Sequence, residues 1–319
     1  MSILNNINTL ISSYATDKEG NPLKRSKTVI VNDEEKLHHL LKTDYSQAVE
    51  QFKDNHRIYR GVRNYQGPYF VKIPGIRKSQ NTQNSYTRLF SGLLPSWDMY
   101  PPRNKSFICT TELSKTRGYI SENDFTRGQY IILPKNNAKI GICSFMDIWD
   151  SFISLYEDYG LYTLENINYM IYDFIETVSL ENKNIPHDSG DIIAMFLYDS
   201  DETIKSYFKI LAKHTEKNID KIIKKVEEED KEHRVSRFTK TIIRDMNELK
   251  NIKDPYNLLT MLDRILDPER NKFRLTTINN FKLTEEENKR GREVWTDSPC
   301  LFINVKYSLK LAPMLSNLE

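Results

Sequence analysis

The sequence predicts an α+β fold in which a β-rich core, expected to be a mixed sheet, is split by a large helical insertion. Residues 57–150 contain several short β-branched runs separated by Pro and Asn turns, and they are predicted to be the first part of the core. Apolar residues then recur at helical spacing through residues 151–271. β-branched runs return in residues 272–319, the second part of the core, and residues 1–56 form an N-terminal helical segment.

The composition is that of a folded globular protein. Of the 319 residues, 39% are hydrophobic and 28% are charged, which excludes a disordered chain. The formal net charge is +2, so the overall charge gives no reason to expect a dedicated nucleic-acid binder. The abundance of Asn, Lys and Ile is typical of AT-rich genomes, such as those of phages and low-GC bacteria.

The cysteines and the lengths of the apolar runs give an expectation for the cellular compartment of the protein. Cys109, Cys143 and Cys300 are odd in number and widely spaced, which argues against a disulfide framework or a zinc knuckle and favours a reducing cytoplasm. No apolar run has the roughly 18 residues that a membrane span requires. The first residues lack a basic region followed by an unbroken apolar one, so no signal peptide is expected. We therefore expect a cytoplasmic protein.

Before the core, residues 3–11 have the spacing of a short amphipathic helix, and a second helix is expected after Asn32. Arg57 to Val62 is predicted to be a strand in which Arg60 shares a face with apolar neighbours. An inward arginine needs an anionic partner; alternatively, this is an edge strand whose arginine reaches water. Residues 64–85 are predicted to be a surface loop, and residues 89–102 an aromatic and proline-rich turn.

The centre of the chain contains three predicted strands and a short helix. The strands are Ser106–Thr111, Gln129–Leu133 and Lys139–Cys143, and the helical segment is Glu112–Tyr119. In the insertion, the charged run Glu227–Arg234 is interpreted as a solvated helix turn or a corner between helices. The last predicted strands are Phe273–Ile278, Val294–Trp295 and Cys300–Val305.

Three polar features on the predicted strands could carry chemistry. They are Arg60 with Gly61, the cluster Cys109–Thr111 and Glu293. An arginine can bind phosphate through two hydrogen bonds, and a carboxylate can stabilise an oxocarbenium-like transition state. A ligand with a pyrophosphate and an N-glycosidic bond, such as NAD, suits that set. No P-loop, GxGxxG, HExxH or Cys/His metal spacing occurs.

Each feature also has a purely structural explanation. Thr110 and Thr111 are good strand residues, and Glu293 follows the charged run 284–292 and could be one more surface charge. Tyr119 could stack on a nicotinamide ring, but aromatic residues at such positions more often serve packing.

The order of these features resembles the mono-ADP-ribosyltransferase fold of the arginine–serine–glutamate class. The resemblance rests on RG at residues 60–61, SFICTTE at 106–112, GQYIILPKNNAKIGI at 128–142 and REVWTDSPCLFINV at 292–305. It covers the β-rich parts and leaves the helical insertion without a counterpart. It implies NAD as the substrate and an ADP-ribosyltransferase-type core.

The resemblance also implies roles for individual residues. Arg60 would contact the phosphates of NAD, and the backbone of Gly61 would hold the nicotinamide amide. The cluster Cys109, Thr110 and Thr111 would support the site, with Thr110 among the catalytic residues. Glu293 would hydrogen-bond the ribose and stabilise the oxocarbenium ion. Tyr119 is added as a residue that contacts the cofactor.

The chain departs from the family pattern at two places. Cys109, Thr110 and Thr111 replace a Ser-Thr-Ser motif, so the first serine corresponds to Cys109 or, shifted by one, to Thr110. The acceptor-activating acid of the third motif is replaced by Gly291, so an arginine acceptor is not expected. The acceptor remains open among protein, which is preferred, nucleic acid and water.

The sequence thus leaves two functions. The first is NAD-dependent transfer of ADP-ribose to a macromolecule, as in a phage or bacterial effector that modifies host components. The second is a non-catalytic binding or structural protein whose helical insertion makes the contacts.

Overall fold

In the computed structural model, the strands from before and after the helical insertion form one sheet. The structure describes residues 26–76, 84–120, 125–159, 164, 167–180, 185, 188–230 and 236–308. The helix predicted at residues 3–11 lies outside these residues. The architecture is α+β, as predicted.

Among the described residues, the sheet has nine strands in the order β1-β3-β9-β5-β2-β4-β8-β6-β7. Their bounds are β1 Lys27–Ile30, β2 Tyr59–Gly61, β3 Tyr69–Ile73, β4 Phe107–Thr110, β5 Gln129–Pro134, β6 Lys139–Ile142, β7 Arg274–Thr277, β8 Glu293–Thr296 and β9 Cys300–Asn304. β8 pairs with β4 and β6, and β9 pairs with β3 and β5, which confirms the split core. The prediction of a mixed sheet was wrong, because every described strand pair is antiparallel.

One strand was missed in the predicted loop 64–85. β3 lies there and pairs with β1 on one side and β9 on the other. Phe70 in this strand is fully buried and stacks on Phe302, with 4.7 Å between ring centroids. The local Gly and Pro content predicted a loop, whereas burial against the neighbouring strand stabilises a strand.

Eleven α-helices surround the sheet within the described residues. Their bounds are α1 Glu34–Lys42, α2 Ser46–Lys53, α3 Asn84–Arg88, α4 Phe125–Gly128, α5 Ile153–Tyr159, α6 Ile167–Ser179, α7 Ser189–Tyr198, α8 Asp201–Asp230, α9 Arg237–Glu248, α10 Leu258–Ile265 and α11 Glu285–Arg290. A 3₁₀ segment occupies Leu113–Tyr119, where a short helix was predicted. Side-chain caps from Ser236 and Asn257 explain why α9 and α10 begin where they do.

The described part of the charged run Glu227–Arg234 is helical. α8 continues through Asp230, and the remaining residues of the run lie outside the described ones. Through Asp230, the run is therefore a solvated part of a long helix and contains no corner.

Two hydrophobic clusters hold these layers together. One lies on the sheet and against α1 and α2. The other lies in the helical insertion and extends to Trp295 on β8. Residues 89–97, which were predicted to be part of a turn, belong to the second cluster: Leu89, Leu94 and Trp97 are almost completely buried. They form a π-helix and a 3₁₀ turn, whose apolar side chains pack into the insertion.

The described helices include none that is long and apolar enough to cross a membrane. Cys109, Cys143 and Cys300 are buried, and none of the three is in a disulfide.

Gly141 makes room for the largest buried side chain of the sheet. It is the cross-strand partner of Trp295, and a Cβ atom on Gly141 would lie 2.3 Å from the indole ring. Trp295 is itself anchored, because its Nε1 donates a 2.8 Å hydrogen bond to the carbonyl of Pro101. The ring therefore has little freedom to move away.

We predict that Gly141→Ala destabilises the protein by about 1–3 kcal/mol through overpacking. The measurement is urea denaturation followed by tryptophan fluorescence. Gly118→Ala is the matched control, because no atom lies within 4 Å of a Cβ built there. Equal unfolding midpoints for the two variants would contradict the packing role of Gly141.

Candidate functional site

The three strands that carry the predicted motifs are immediate neighbours in the sheet. β2, β4 and β8 lie side by side, in that order. Thr110 is the cross-strand partner of Tyr59 on one side and of Glu293 on the other. Segments from distant parts of the chain are therefore brought to one place.

Side-chain alternation places the predicted residues on two faces of these strands. Residues paired across an antiparallel ladder point to the same face, and successive residues point to opposite faces. Thr110 and Glu293 share what we call the Glu293 face. Arg60 and Cys109 point to the opposite side, which we call the Arg60 face. The structure thus brings Thr110 and Glu293 together but does not place Arg60 with them.

On its face, Glu293 is buried in an ion pair. Its Oε1 accepts a 2.7 Å hydrogen bond from Nη2 of Arg103, and the two side chains are only 10% and 7% exposed. The guanidinium lies over the Trp295 ring at 5.0 Å. Burial acts to lower the pKa of Arg103, but the Glu293 carboxylate more than offsets this and leaves that pKa raised. A carboxylate held in this way is not open to a ligand.

Two further titratable groups surround the ion pair. Cys143 lies with its Sγ 3.6 Å from Oε1 of Glu293, and burial followed by the Glu293 charge raises the pKa of its thiol well above the usual range. Burial and the Glu293 charge also raise the pKa of Asp147 to about 6. Cys143 is therefore a neutral thiol near pH 7, so it is a poor nucleophile.

Gly61 and Tyr119 contact each other. A Cβ atom on Gly61 would lie 2.3 Å from the carbonyl oxygen of Thr116 and 2.9 Å from Cβ of Tyr119. The Leu113–Tyr119 segment thus covers Gly61, which explains a glycine there without any ligand. The Tyr119 side chain is 58% exposed.

The hydroxyl cluster has a clear structural role. Thr110 Oγ1 accepts a hydrogen bond from the backbone N–H of Glu112 and so shapes the turn after β4. Thr111 Oγ1 accepts a 2.8 Å bond from the N–H of Arg292, while the Thr111 N–H donates to the Arg292 carbonyl. Cys109 is the member of the cluster that lies on the Arg60 face.

The Arg60 face holds a pair of cations. Arg60 is partly buried, donates a hydrogen bond to the carbonyl of Ile108 and lies 5.8 Å from the centre of the Phe107 ring. Lys72 points to the same face through the pairing of β3, β9 and β5. Burial, and then the charge of Arg60, lower the pKa of Lys72. Among the described residues, no carboxylate forms an ion pair with either cation.

Several of these residues were not singled out by the sequence. Arg103, Cys143, Asp147 and Lys72 were given no role in the predicted site. The Pro-Pro-Arg sequence before β4 was the available signal for Arg103. Lys72 had none, because β3 was read as a loop. Glu112 was noted only as part of the motif, yet its partly exposed carboxylate lies beside Gly291, at the start of β8.

We predict that Glu293→Ala destabilises the protein by about 3–5 kcal/mol, because it leaves the buried Arg103 charge unpaired. The measurement is the free energy of unfolding in urea. Replacing both partners, in Arg103→Met with Glu293→Leu, should recover much of the loss.

The control is the exposed pair Arg290–Glu286, whose side chains are 66% and 65% exposed. Glu286→Ala should cost less than about 1 kcal/mol, since exposed pairs contribute little. If Glu293→Ala is as mild as that control, the ion pair does not hold the fold together.

Asp147 makes the stability pH-dependent. Its pKa is about 6 in the folded protein against a usual 3.8. Between these values the unfolded chain loses this proton while the folded protein keeps it, so stability falls as the pH rises. We predict that the stability of Asp147→Asn relative to the wild type increases from pH 4 to pH 7. The measurement is the urea midpoint of both proteins at each of the two pH values. Asn keeps a side-chain oxygen for the N–H of Trp149, which the carboxylate now accepts. Parallel changes with pH in both proteins would contradict this.

Comparisons with protein-family models, with curated protein sequences and with solved structures gave no significant match. What the chain does is therefore inferred from its own residues.

Proposed function

We propose that this protein is an NAD-dependent ADP-ribosyltransferase whose Arg60 face binds the pyrophosphate of NAD. The observation that carries the proposal is the cation pair on that face. Arg60 and Lys72 are partly buried on the same face with two strands between them, and no described carboxylate pairs with either. The charge of Arg60 adds to burial in lowering the pKa of Lys72. Unpaired, partly desolvated cations are costly to hold together, and an anionic ligand would relieve that cost.

The arrangement of strands supports NAD in particular. The Arg-Gly strand, the Cys-Thr-Thr strand and the Glu strand are consecutive in the sheet, in the order in which the resemblance uses them. Arg60 offers a planar fork to phosphate oxygens, and Lys72 adds a second positive charge. Cys109 lies beside Arg60 on the same face.

In the proposed reaction, the bond between the ribose C1′ and the nicotinamide nitrogen breaks, and its electron pair leaves with nicotinamide. A nucleophile on the acceptor then bonds to C1′ and releases its proton to solvent. A carboxylate near C1′ would stabilise the oxocarbenium-like state between these steps.

Glu293 and Glu112 are the two carboxylates to test for this role. Glu293 is tied to Arg103 on the other face and would have to leave that pair to act. Glu112, just after β4, is partly exposed and accepts a hydrogen bond from Ser114. Its position beside Gly291 puts an accessible acid at the ends of both motif strands.

The second candidate function is a non-catalytic protein that binds an anionic ligand on the Arg60 face. The burial of Glu293 opposite the cation pair favours it, because the acid of the third motif is then part of the core. Binding of NAD without release of nicotinamide would identify this case.

We predict that Arg60→Gln weakens NAD binding at least tenfold, since bonds to charged groups contribute about 1.5–3 kcal/mol. The measurement is calorimetry with NAD, beside nicotinamide release and transfer of adenylate-labelled NAD to lysate proteins. Arg63→Gln is the matched control, because Arg63 is exposed, lies nearby in the chain and carries the same charge.

Glu112→Gln and Glu293→Gln are compared next, after each variant has been shown to be folded. The variant that loses nicotinamide release but keeps its affinity for NAD identifies the catalytic acid. If the wild type neither binds NAD nor releases nicotinamide, the proposal is wrong. Equal NAD affinity of the Arg60 and Arg63 variants would show that Arg60 does not bind NAD.

A further inference from the structure

Helix α8 carries a regular row of lysines on its solvent side. Lys205, Lys209, Lys213, Lys217 and Lys221 follow one another at intervals of four residues, and all are exposed. We call them the lysine row. The buried residues of α8 include Ile204, Phe208, Leu211, Thr215, Ile222 and Val226. At 100° per residue, the centre of the lysine row lies opposite this buried side, so it projects away from the protein.

The lysine row carries more positive than negative charge along its length, and its lysines are free of described ion pairs. None of its five members forms an ion pair with a described residue, although Lys224 and Lys225 farther along the helix pair with Glu228 and Glu229. Residues 205–225 contain seven lysines and two acidic residues, Glu216 and Asp220, whereas both ends of α8 are acidic, with Asp201, Glu202 and residues 227–230. Positive charge is therefore concentrated in the middle of the helix, where the lysine row lies.

The geometry favours a partner that is itself long and evenly charged. With a rise of 1.5 Å per residue, the lysine row extends about 24 Å along the helix axis. A nucleic-acid duplex carries about one negative charge per 1.7 Å, so several phosphates lie within that length. Lysine contacts phosphate as a compact point charge and needs no fixed base or side-chain partner.

Other partner classes fit less well. A helix that inserts into a membrane surface needs an exposed apolar face, whereas most of the apolar side of α8 is buried in the insertion. Protein interfaces are centred on aromatic and arginine anchors and are depleted in lysine. Ile210 is the one large apolar residue of this helix that is clearly exposed.

We propose that α8 binds the phosphate backbone of double-stranded nucleic acid through the lysine row, without reading its sequence. This interaction surface is separate from the Arg60 face and does not depend on NAD chemistry. The total charge of +2 gave no reason to expect a nucleic-acid binder, because a total hides the local concentration of lysines in the middle of α8.

The test is fluorescence anisotropy with a labelled DNA duplex of about 20 base pairs, titrated at several salt concentrations. Each lysine–phosphate contact contributes about 0.9 to the slope of log K against log salt, so the full chain should give a slope of about −4 to −5. The variant Lys209→Gln/Lys213→Gln/Lys217→Gln should bind more weakly, with a slope of about −2. Unrelated duplex sequences should bind equally well.

The matched control is Lys36→Gln/Lys250→Gln/Lys253→Gln, which removes the same charge from exposed lysines elsewhere. It should keep the slope of the wild type. Equal weakening in both triple variants would overturn the assignment to α8, and so would the absence of DNA binding at low salt. Displacement of the duplex by polyglutamate as effectively as by unlabelled DNA would overturn it in favour of an acidic protein partner. Circular dichroism verifies that both variants keep their helices.

Discussion

The buried ion pair between Arg103 and Glu293 is the contact on which the arrangement of this protein most depends. It joins the segment that leads into β4 to the first residue of β8, two parts of the chain separated by the whole helical insertion. The Trp295 ring covers the guanidinium, and Gly141 leaves space for that ring. Removing one partner of such a pair costs about 3–5 kcal/mol, a large share of the roughly 5–15 kcal/mol that stabilises a domain.

That contact also limits where chemistry can occur. A carboxylate that neutralises a buried arginine cannot at the same time serve a ligand without leaving the arginine unpaired. The functional interest therefore moves to the other face, where Arg60 and Lys72 hold positive charge without a described acidic partner. Both faces are packed, because the Arg60 face also carries Phe70, Phe107 and Phe302 of the sheet cluster. The two partly buried cations, Arg60 and Lys72, give that face the electrostatics of an anion site in addition.

The proposed nucleic-acid contact adds a third region, on the solvent side of α8 and made by a different part of the chain. The insertion buries its apolar residues in the cluster that reaches Trp295, so the sheet and the insertion share packing. The lysine row projects from the opposite side of the helix. A single long helix thereby joins the core on one side and presents charge to solvent on the other.

Much of the fold could be predicted from the sequence, because strands and helices depend on local patterns. The strands around Arg60, Cys109 and Glu293 were placed to within one or two residues, and so was the return of β-structure after the insertion. β3 was missed because Gly and Pro surround it and its stability comes from Phe302 on another strand. The apolar side chains of residues 89–97, in the turn predicted at residues 89–102, proved to be core because their partners lie far away in the insertion.

By itself, the sequence determined the α+β class, the split of the core by a helical insertion and the set of polar residues that could carry chemistry. Only the tertiary structure decided which of these residues meet. Alternation along one strand tells which residues share a face of that strand, but it does not tell how two distant strands pair. The pairing of Thr110 with Glu293 put the acid on the face opposite Arg60, beside an arginine that the motifs did not include.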